Sequence, residues 1–356
     1  MLILNSSNSF WGSETSLLVL LEGLDVKDYN LFIQDSKGNF DYALECRNIP
    51  FSKVALELSP YKWGFYKSVF KLLMIVFKYR ERKVYCNNDD LSTLVAALKI
   101  STFFWLKTFV HVRNIPGSRY YYKKLMFLHN RVICNSNYTK EHLVSDLPLS
   151  KDNLSVVPNP HGQKHKAINF FSDPPIENKY ILTLGRLQKN KAQLEVIKIL
   201  QQKNLFSSNI EYLLVGGASD SDFGYKEQIK EYLKTNSIQS KVHMHGFSNE
   251  VSHYYKHAEL VIIPSYIETF GRVVIEAGFW KVPVIVRNIG SLCEIVDHGK
   301  TGLVWDGSSE QLSEQIKSIL QDEEYQTYLG NNLHKKVIDQ YSDDRYIKRL
   351  KKIVGM

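Results

Sequence analysis

Cysteine is scarce. The four in 356 residues are Cys46, Cys86, Cys134 and Cys293, and none sits in a CxxC or similar pair. This excludes a zinc module or a disulfide framework and fits free thiols in a reducing cytosol. The histidines are read as forming no HxxxH or HExxH cluster, and no metal site or cofactor is expected. Long apolar runs are missing too. The longest, Leu72 to Phe77, falls far short of the roughly 20 residues that a bilayer span needs. The opening MLILNSSNSF lacks the basic segment and apolar core of a signal peptide. A cytoplasmic protein, soluble or peripheral on the inner face of the plasma membrane, is therefore expected. No GxxxxGK[ST] loop occurs, which argues against a P-loop kinase or ATPase. Ribonucleoprotein strands and a helix-turn-helix are also missing, so no nucleic-acid partner is expected.

What is present is an ordinary globular composition with a surplus of cations. A net charge of +8 suits anionic ligands such as nucleotides or lipid headgroups. The length fits two domains. Strands are predicted at Leu2–Ser6, Tyr29–Gln34, Lys83–Cys86, Thr108–Val112, Arg131–Asn135 and Ser155–Val157. The first runs through a small-residue loop into a helix from Glu14 to Leu24, the opening unit of a doubly wound sheet. Residues Asn159 to Lys179 carry three prolines and no periodicity, and read as a linker. A second set follows: strands Tyr180–Leu184, Glu211–Val215, Val242–His245, Leu260–Pro264 and Val282–Val286, with helices Lys191–Leu200, Tyr225–Lys234 and Arg272–Phe279 between them. The expected architecture is α/β, with two Rossmann-like parallel-sheet domains facing a central cleft. They span 1–163 and 164–338. A basic helix in 339–356, centred on Asp343–Ile353, is expected to pack back on the first.

The stretch from Tyr61 to Lys83 predicts a helix. Its spacing puts Lys67, Lys71, Lys78 and Arg82 on one face, while Leu72, Leu73, Ile75, Val76 and Phe77 fill much of the rest. This pattern suits an anionic membrane surface, and equally an ordinary domain helix with a solvated lysine face.

The strongest local signal is IPSYIETFGRVVIEA, residues 263–277. An apolar strand ends at Pro264, a loop carries Glu268, Gly271 permits close backbone approach, and a helix starts at Arg272. Free N–H groups at such a start suit a diphosphate. Glu268 before it and Glu276 one turn inside can accept hydrogen bonds from hydroxyls on either side of a phosphate. A capped core helix with two incidental glutamates is the plainer alternative. Gly185-Arg186 leaves the second set's first strand, and Lys191 opens the next helix. Both cations can converge on one diphosphate, although either alone could be a surface cation. Gly216-Gly217 and Gly246-Phe247 follow strands and suit close contact at the same sheet edge. In the first half, His111 ends a strand and Gly12 ends the first loop, and both are expected to face the cleft. A lone histidine is more often structural.

From Tyr180 to about Trp305 the chain resembles family-four retaining glycosyltransferases, the glycosyl transferases group one of GT-B fold. The matching runs are LGRLQKNKAQLEVI, YLLVGGASD, VHMHGFSNEV, AELVIIPSYIETFGRVVIEAG and VPVIVRNIGSLCEIVDHGKTGLVW. WGSE, HVRN, ICNSNYTKEHL and SVVPNPHG extend the likeness more loosely into the first half. The resemblance implies that Glu268 binds donor-sugar hydroxyls and Glu276 the nucleotide ribose. Arg186 and Lys191 would hold the diphosphate with main-chain amides near Phe270, Gly271, Arg272 and Val273. His111 would contact the sugar near the reacting carbon, Gly12 would let the first loop approach donor phosphate and acceptor, and Gly246 and Phe247 would lie near the base. Lys281, Ser291 and Trp11 depart from the family pattern, each standing where it has glycine.

The resulting expectation is a metal-independent, retaining transferase. It would move a sugar from a UDP- or GDP-sugar to a saccharide or polyprenyl-linked acceptor in bacterial-type surface polysaccharide synthesis, O-antigen or capsule. A nucleotide-sugar epimerase, a phosphorylase or a non-catalytic binding subunit of the same fold remain alternatives.

Overall fold

The computed structural model describes residues 1–10, 12–114, 125–147, 149–162, 176–206, 210–218, 222–248 and 250–356. Trp11 and most of the predicted linker, 163–175, lie outside them. The chain divides into two compact units, Met1–His165 with Ser342–Met356, and Lys166–Tyr341.

The first unit holds seven parallel strands: β1 (Leu2–Asn5), β2 (Asn30–Gln34), β3 (Ser52–Val54), β4 (Lys83–Cys86), β5 (Lys107–Val112), β6 (Arg131–Cys134) and β7 (Leu154–Val156). Their order is β3-β2-β1-β4-β5-β6-β7. The described helices are α1 (Gly12–Glu22), α2 (Phe40–Glu45), α3 (Trp63–Tyr79), α4 (Ser92–Ser101) and α5 (Asn137–Asp146). Side chains alternate between the two sheet faces. Leu2, Leu4, Val84 and Val110 join the layer that holds α3 and α4 residues Leu72, Val76 and Leu94. Ile3, Ile33, Tyr85 and Phe109 join Leu17, Leu18 and Leu21 of α1 on the other side. Both faces are covered, so these strands read as almost continuous apolar runs.

The second unit repeats the plan with β8 (Lys179–Leu184), β9 (Ile210–Val215), β10 (Val242–Gly246), β11 (Ala258–Ile263), β12 (Val284–Arg287) and β13 (Leu303–Trp305). The order is β10-β9-β8-β11-β12-β13, all parallel. Its helices are α6 (Gln193–Gln202), α7 (Phe223–Thr235), α8 (Ser252–Lys256), α9 (Arg272–Phe279), α10 (Leu292–Ile295), α11 (Ser309–Leu320) and α12 (Glu323–Gln340). The last helix, α13 (Asp343–Val354), belongs to the first unit. Tyr346, Leu350 and Val354 complete the apolar layer under α1, and the Asp343 carboxylate accepts the Gly162 N–H at 3.0 Å.

Two local differences from the sequence reading have physical causes. Lys191 does not open a helix; it closes a 3-10 turn, Lys189–Lys191, and left-handed Ala192 (φ 53°) precedes α6. Arg82 is not on α3, because Arg80 turns left-handed (φ 54°) and ends that helix. The short strands β3 and β13 carry too few residues for a period to show.

Candidate functional site: the carboxyl edge of the second sheet

In this strand order the direction of winding reverses between β8 and β11, and ligands of open α/β sheets bind at the carboxyl ends of the strands flanking such a reversal. The Gly185-Arg186 turn leaves β8 there, and the loop from Pro264 to Gly271 leaves β11. Their side chains and main chains are tied together. The Asn190 carbonyl accepts the Tyr266 N–H at 2.8 Å, and Lys191 Nζ lies 2.6 Å from Glu268 Oε2. Gln193 Nε2 donates to the Arg186 carbonyl at 2.8 Å and holds the turn. The Arg186 side chain is exposed and makes no hydrogen bond or ion pair among the described residues.

Glycine is required at two points. Gly216 follows β9 with φ 154°, and a Cβ there would collide with the Gly185 carbonyl. This close approach is fastened by Gly185 N–H to Val215 O at 3.0 Å and Gly216 N–H to Gly246 O at 2.7 Å. Gly271 is left-handed (φ 79°, ψ 52°), caps α9 without a side-chain hydrogen bond, and has no room for a Cβ beside Leu292. The first-turn N–H groups of a helix have no carbonyl ahead of them, and the Val274 N–H is turned back to Gly271 O at 3.0 Å. Phe270 is buried beneath this turn, whereas Arg272 and Val273 are half-buried at its mouth. Gly246 is left-handed (φ 82°) with open space where a Cβ would stand, and Phe247 beside it is exposed.

Glu276 lies one turn into α9 and is almost fully buried. Its Oε2 accepts the Tyr255 hydroxyl at 2.8 Å, and Oε1 lies 3.6 Å from Arg272 Nη2. Burial, and then the Glu276 carboxylate, push the Tyr255 hydroxyl well above the ordinary tyrosine range, so it stays a donor.

Several supports carried no sequence signal. Arg287, at the end of β12, donates from Nε to the Pro264 carbonyl at 2.8 Å and from Nη2 to Glu195 at 2.6 Å. Its guanidinium lies 4.6 Å from the Tyr266 ring centroid and 4.1 Å from that of Trp305. Tyr266 also donates to Glu195 at 2.6 Å. Buried Ser291 donates from Oγ to the Glu268 carbonyl at 3.0 Å. One departure from the family pattern is therefore an anchor of the glutamate loop, visible in sequence only as a missing glycine. Lys281, another departure, sits at φ 60°, the left-handed region where glycine is at ease.

In the first unit His111 is fully buried on β5. Tyr85 Oη lies 2.8 Å and Arg113 Nη2 3.3 Å from its Nδ1, while Nε2 has no partner among the described residues. Burial, then the Arg113 charge, hold its pKa well below the ordinary 6.5. With Nδ1 facing two donors, the neutral ring carries its proton on Nε2, a donor in want of an acceptor. Arg113 is itself held by Asn87, Asn159 and the Tyr346 hydroxyl. Gly12 is the first residue of α1 and does not end the loop. Below pH 6.5 an unfolded chain takes up a proton that folded His111 refuses. Stability is therefore lost as pH falls through 6.5, by about 1.4 kcal/mol per unit until the folded value is reached. Melting temperatures near neutral pH and near pH ~5.5 check this: His111→Gln should narrow the gap, and an unchanged gap would contradict it.

The expectation of no HxxxH pair is incorrect. His253 and His257 stand four apart around α8, with ring centroids 5.4 Å apart. Among the described residues no group of three or more His, Cys, Asp or Glu is placed to hold a metal ion.

Residues 165–336 match the family model described as glycosyl transferases group 1. The two parallel-sheet units are those of GT-B glycosyltransferases. HepE of Anabaena, solved in complex with UDP, superposes with a TM-score of 0.83 over 99% of each chain at 18% identity. An uncharacterized glycosyltransferase of Methanocaldococcus jannaschii is 29% identical over 61% of this chain and 58% of its own length. The capsular polysaccharide biosynthesis glycosyltransferase CapM of Staphylococcus aureus is 28% identical over 59% and 54%. The chain thus spans about half the length of the curated relatives it matches.

Proposed function

We propose that this chain is a retaining, metal-independent glycosyltransferase that moves a hexosyl group from a nucleoside diphosphate sugar to a saccharide or lipid-linked saccharide. The observation that carries the reading is the Lys191–Glu268 pair beside the start of α9, where N-cap Gly271 supplies no side-chain cap, with Arg186 unengaged among the described residues on the facing turn. A diphosphate would take the cations and helix N–H groups, releasing Glu268 to the sugar hydroxyls. Glu276 would receive the ribose, and Gly246 and Phe247 would border the base. His111 Nε2 would donate to a donor-sugar hydroxyl. Charge growing on the leaving phosphate is then met by fixed protein charges and dipoles, which is the role a metal ion would otherwise fill. The departing phosphate oxygen helps to take the acceptor proton on the face it has just left, so the anomeric configuration is kept. UDP in the HepE complex supports a uridine donor, and the CapM likeness supports a role in surface polysaccharide synthesis.

Thermal shift against UDP- and GDP-sugars, followed by turnover in excess EDTA, tests the reading. At least one donor should stabilise the chain by roughly 2.7 kcal/mol at about 100 times its Kd, and transfer should continue in EDTA. No stabilisation by any donor would overturn the site; loss of transfer in EDTA with recovery in manganese would overturn metal independence.

A further inference from the structure

We propose that the outer face of α3, together with the turn that follows α4, docks on an anionic lipid bilayer. This inference does not rest on the proposed transferase activity. Helix α3 buries Phe65, Ser68, Leu72 and Val76 along one side. At about 100° per residue, Trp63, Tyr66, Phe70, Met74 and Phe77 form a single stripe on the opposite side. Their exposures are 74%, 59%, 64%, 56% and 61%. A helix apolar on both sides has not finished burying itself, and a contiguous exposed patch of this kind marks an interaction surface.

The turn after α4 extends the patch. Phe103 and Phe104 are consecutive left-handed residues, at φ 48° and 61°, a conformation that bulky L-residues resist. The strained backbone holds Phe103 93% and Phe104 58% exposed, with Trp105 and Ile100 each about half exposed. Helix α4 packs beside α3, and the Arg82 guanidinium lies 5.7 Å from the Trp105 ring centroid, which joins the two parts. No function inside the domain accounts for five large apolar side chains on one helix and two strained phenylalanines on its neighbour.

The surrounding charge selects the occupant. Helix α3 contains no acidic residue. Exposed Lys67, Lys71 and Lys78 line one flank of the stripe, and Lys62, Arg80 and Arg82 stand at its ends. Aromatic rings seated at headgroup depth, with lysines reaching to phosphates on flexible stems, form the pattern of an interfacial helix. A second copy fits worse. Antiparallel pairing of two α3 helices about a two-fold axis would set each lysine flank against a like-charged one. No helix among the described residues is long and apolar enough to cross a membrane, so the contact is peripheral.

Co-sedimentation of the full chain with phosphatidylcholine vesicles, with and without phosphatidylglycerol, tests this. Binding should require phosphatidylglycerol and weaken in high salt. Joint Lys67→Glu, Lys71→Glu and Lys78→Glu replacement should reduce it by on the order of 10²-fold or more. Phe70→Ser with Phe103→Ser should also abolish it. These positions are exposed, so an unchanged melting temperature verifies folding in each variant. Quenching of tryptophan emission by brominated lipid should report Trp63 and Trp105 in the headgroup region. Equal binding to neutral and anionic vesicles, or binding unchanged in both variants, would overturn the proposal. So would a concentration-dependent dimer that Phe70→Ser dissolves, since that assigns the face to a second copy.

Discussion

Arg186→Ala and Lys191→Ala are each expected to lower kcat/KM for sugar transfer by on the order of 10²–10³ while leaving the fold intact. The two side chains reach the carboxyl edge of the second sheet from one turn, yet they start from different states. Arg186 is exposed and makes no ion pair among the described residues, so its removal disturbs nothing in the resting molecule. Its planar fork is available to grip two phosphate oxygens at once. Lys191 is already 2.6 Å from Glu268. A partly buried pair of this kind contributes on the order of 1 kcal/mol to stability, so Lys191→Ala should move the melting temperature only slightly. Its kinetic cost should be larger, because charge on the leaving phosphate grows as the anomeric bond breaks. The pairing has a further consequence: Lys191→Ala and Glu268→Gln touch one interaction, so their combined effect should fall short of the sum. Arg186→Ala with Glu268→Gln should come closer to adding. Near-normal kcat/KM in both single variants would remove these cations from the mechanism.

Glu268→Gln and Glu276→Gln are expected to fail in different ways. Glu268 lies in the loop before α9, its carbonyl anchored by Ser291 and its carboxylate by Lys191. If it orients the sugar ring during bond cleavage, its loss lowers kcat strongly. Glu276 is fixed by Tyr255 and Arg272 inside the first turn. A ribose contact there forms in the ground state and the transition state alike, which is uniform binding. Glu276→Gln should therefore raise the donor KM with a smaller change in kcat. In the Glu276→Gln variant the new amide oxygen can still accept from the Tyr255 hydroxyl, so the phenotype should not be one of misfolding. Calorimetric titration with UDP separates the two positions without turnover: Glu276→Gln should weaken nucleotide binding, and Glu268→Gln should not, since UDP carries the ribose but no transferable hexose. The opposite pattern would exchange the two assignments.

Much of the framework was legible because parallel strands buried on both faces must be apolar along their whole length. Lys83–Cys86 and Arg272–Phe279 fall where the pattern places them, and most other ends lie within two residues. Legibility failed where a single backbone angle intervenes. Arg80 ends α3 before Arg82, and Ala192 separates Lys191 from α6, each through a left-handed residue with no compositional mark. It failed again for Arg287, Glu195 and Tyr266, which meet from β12, α6 and the β11 loop. No local periodicity links residues that far apart.

The sequence by itself determined the two α/β units, the glycines at the strand ends and the chemical types at the edge: two carboxylates, two cations and a helix start. These are local properties, set by hydrophobic period, by φ and by the order of elements. Only the tertiary structure decided which of these groups touch. It pairs Lys191 with Glu268, gives Glu276 to Tyr255, turns Ser291 into an anchor, and leaves the Nε2 of a neutral His111 without an acceptor among the described residues. It also decided that the stripe from Trp63 to Phe77 points to solvent, although the same residues in sequence could have faced a core. The reason is physical: burial and pairing depend on what arrives from elsewhere in the chain, and a helix with apolar residues on two sides cannot state which one its neighbours will cover.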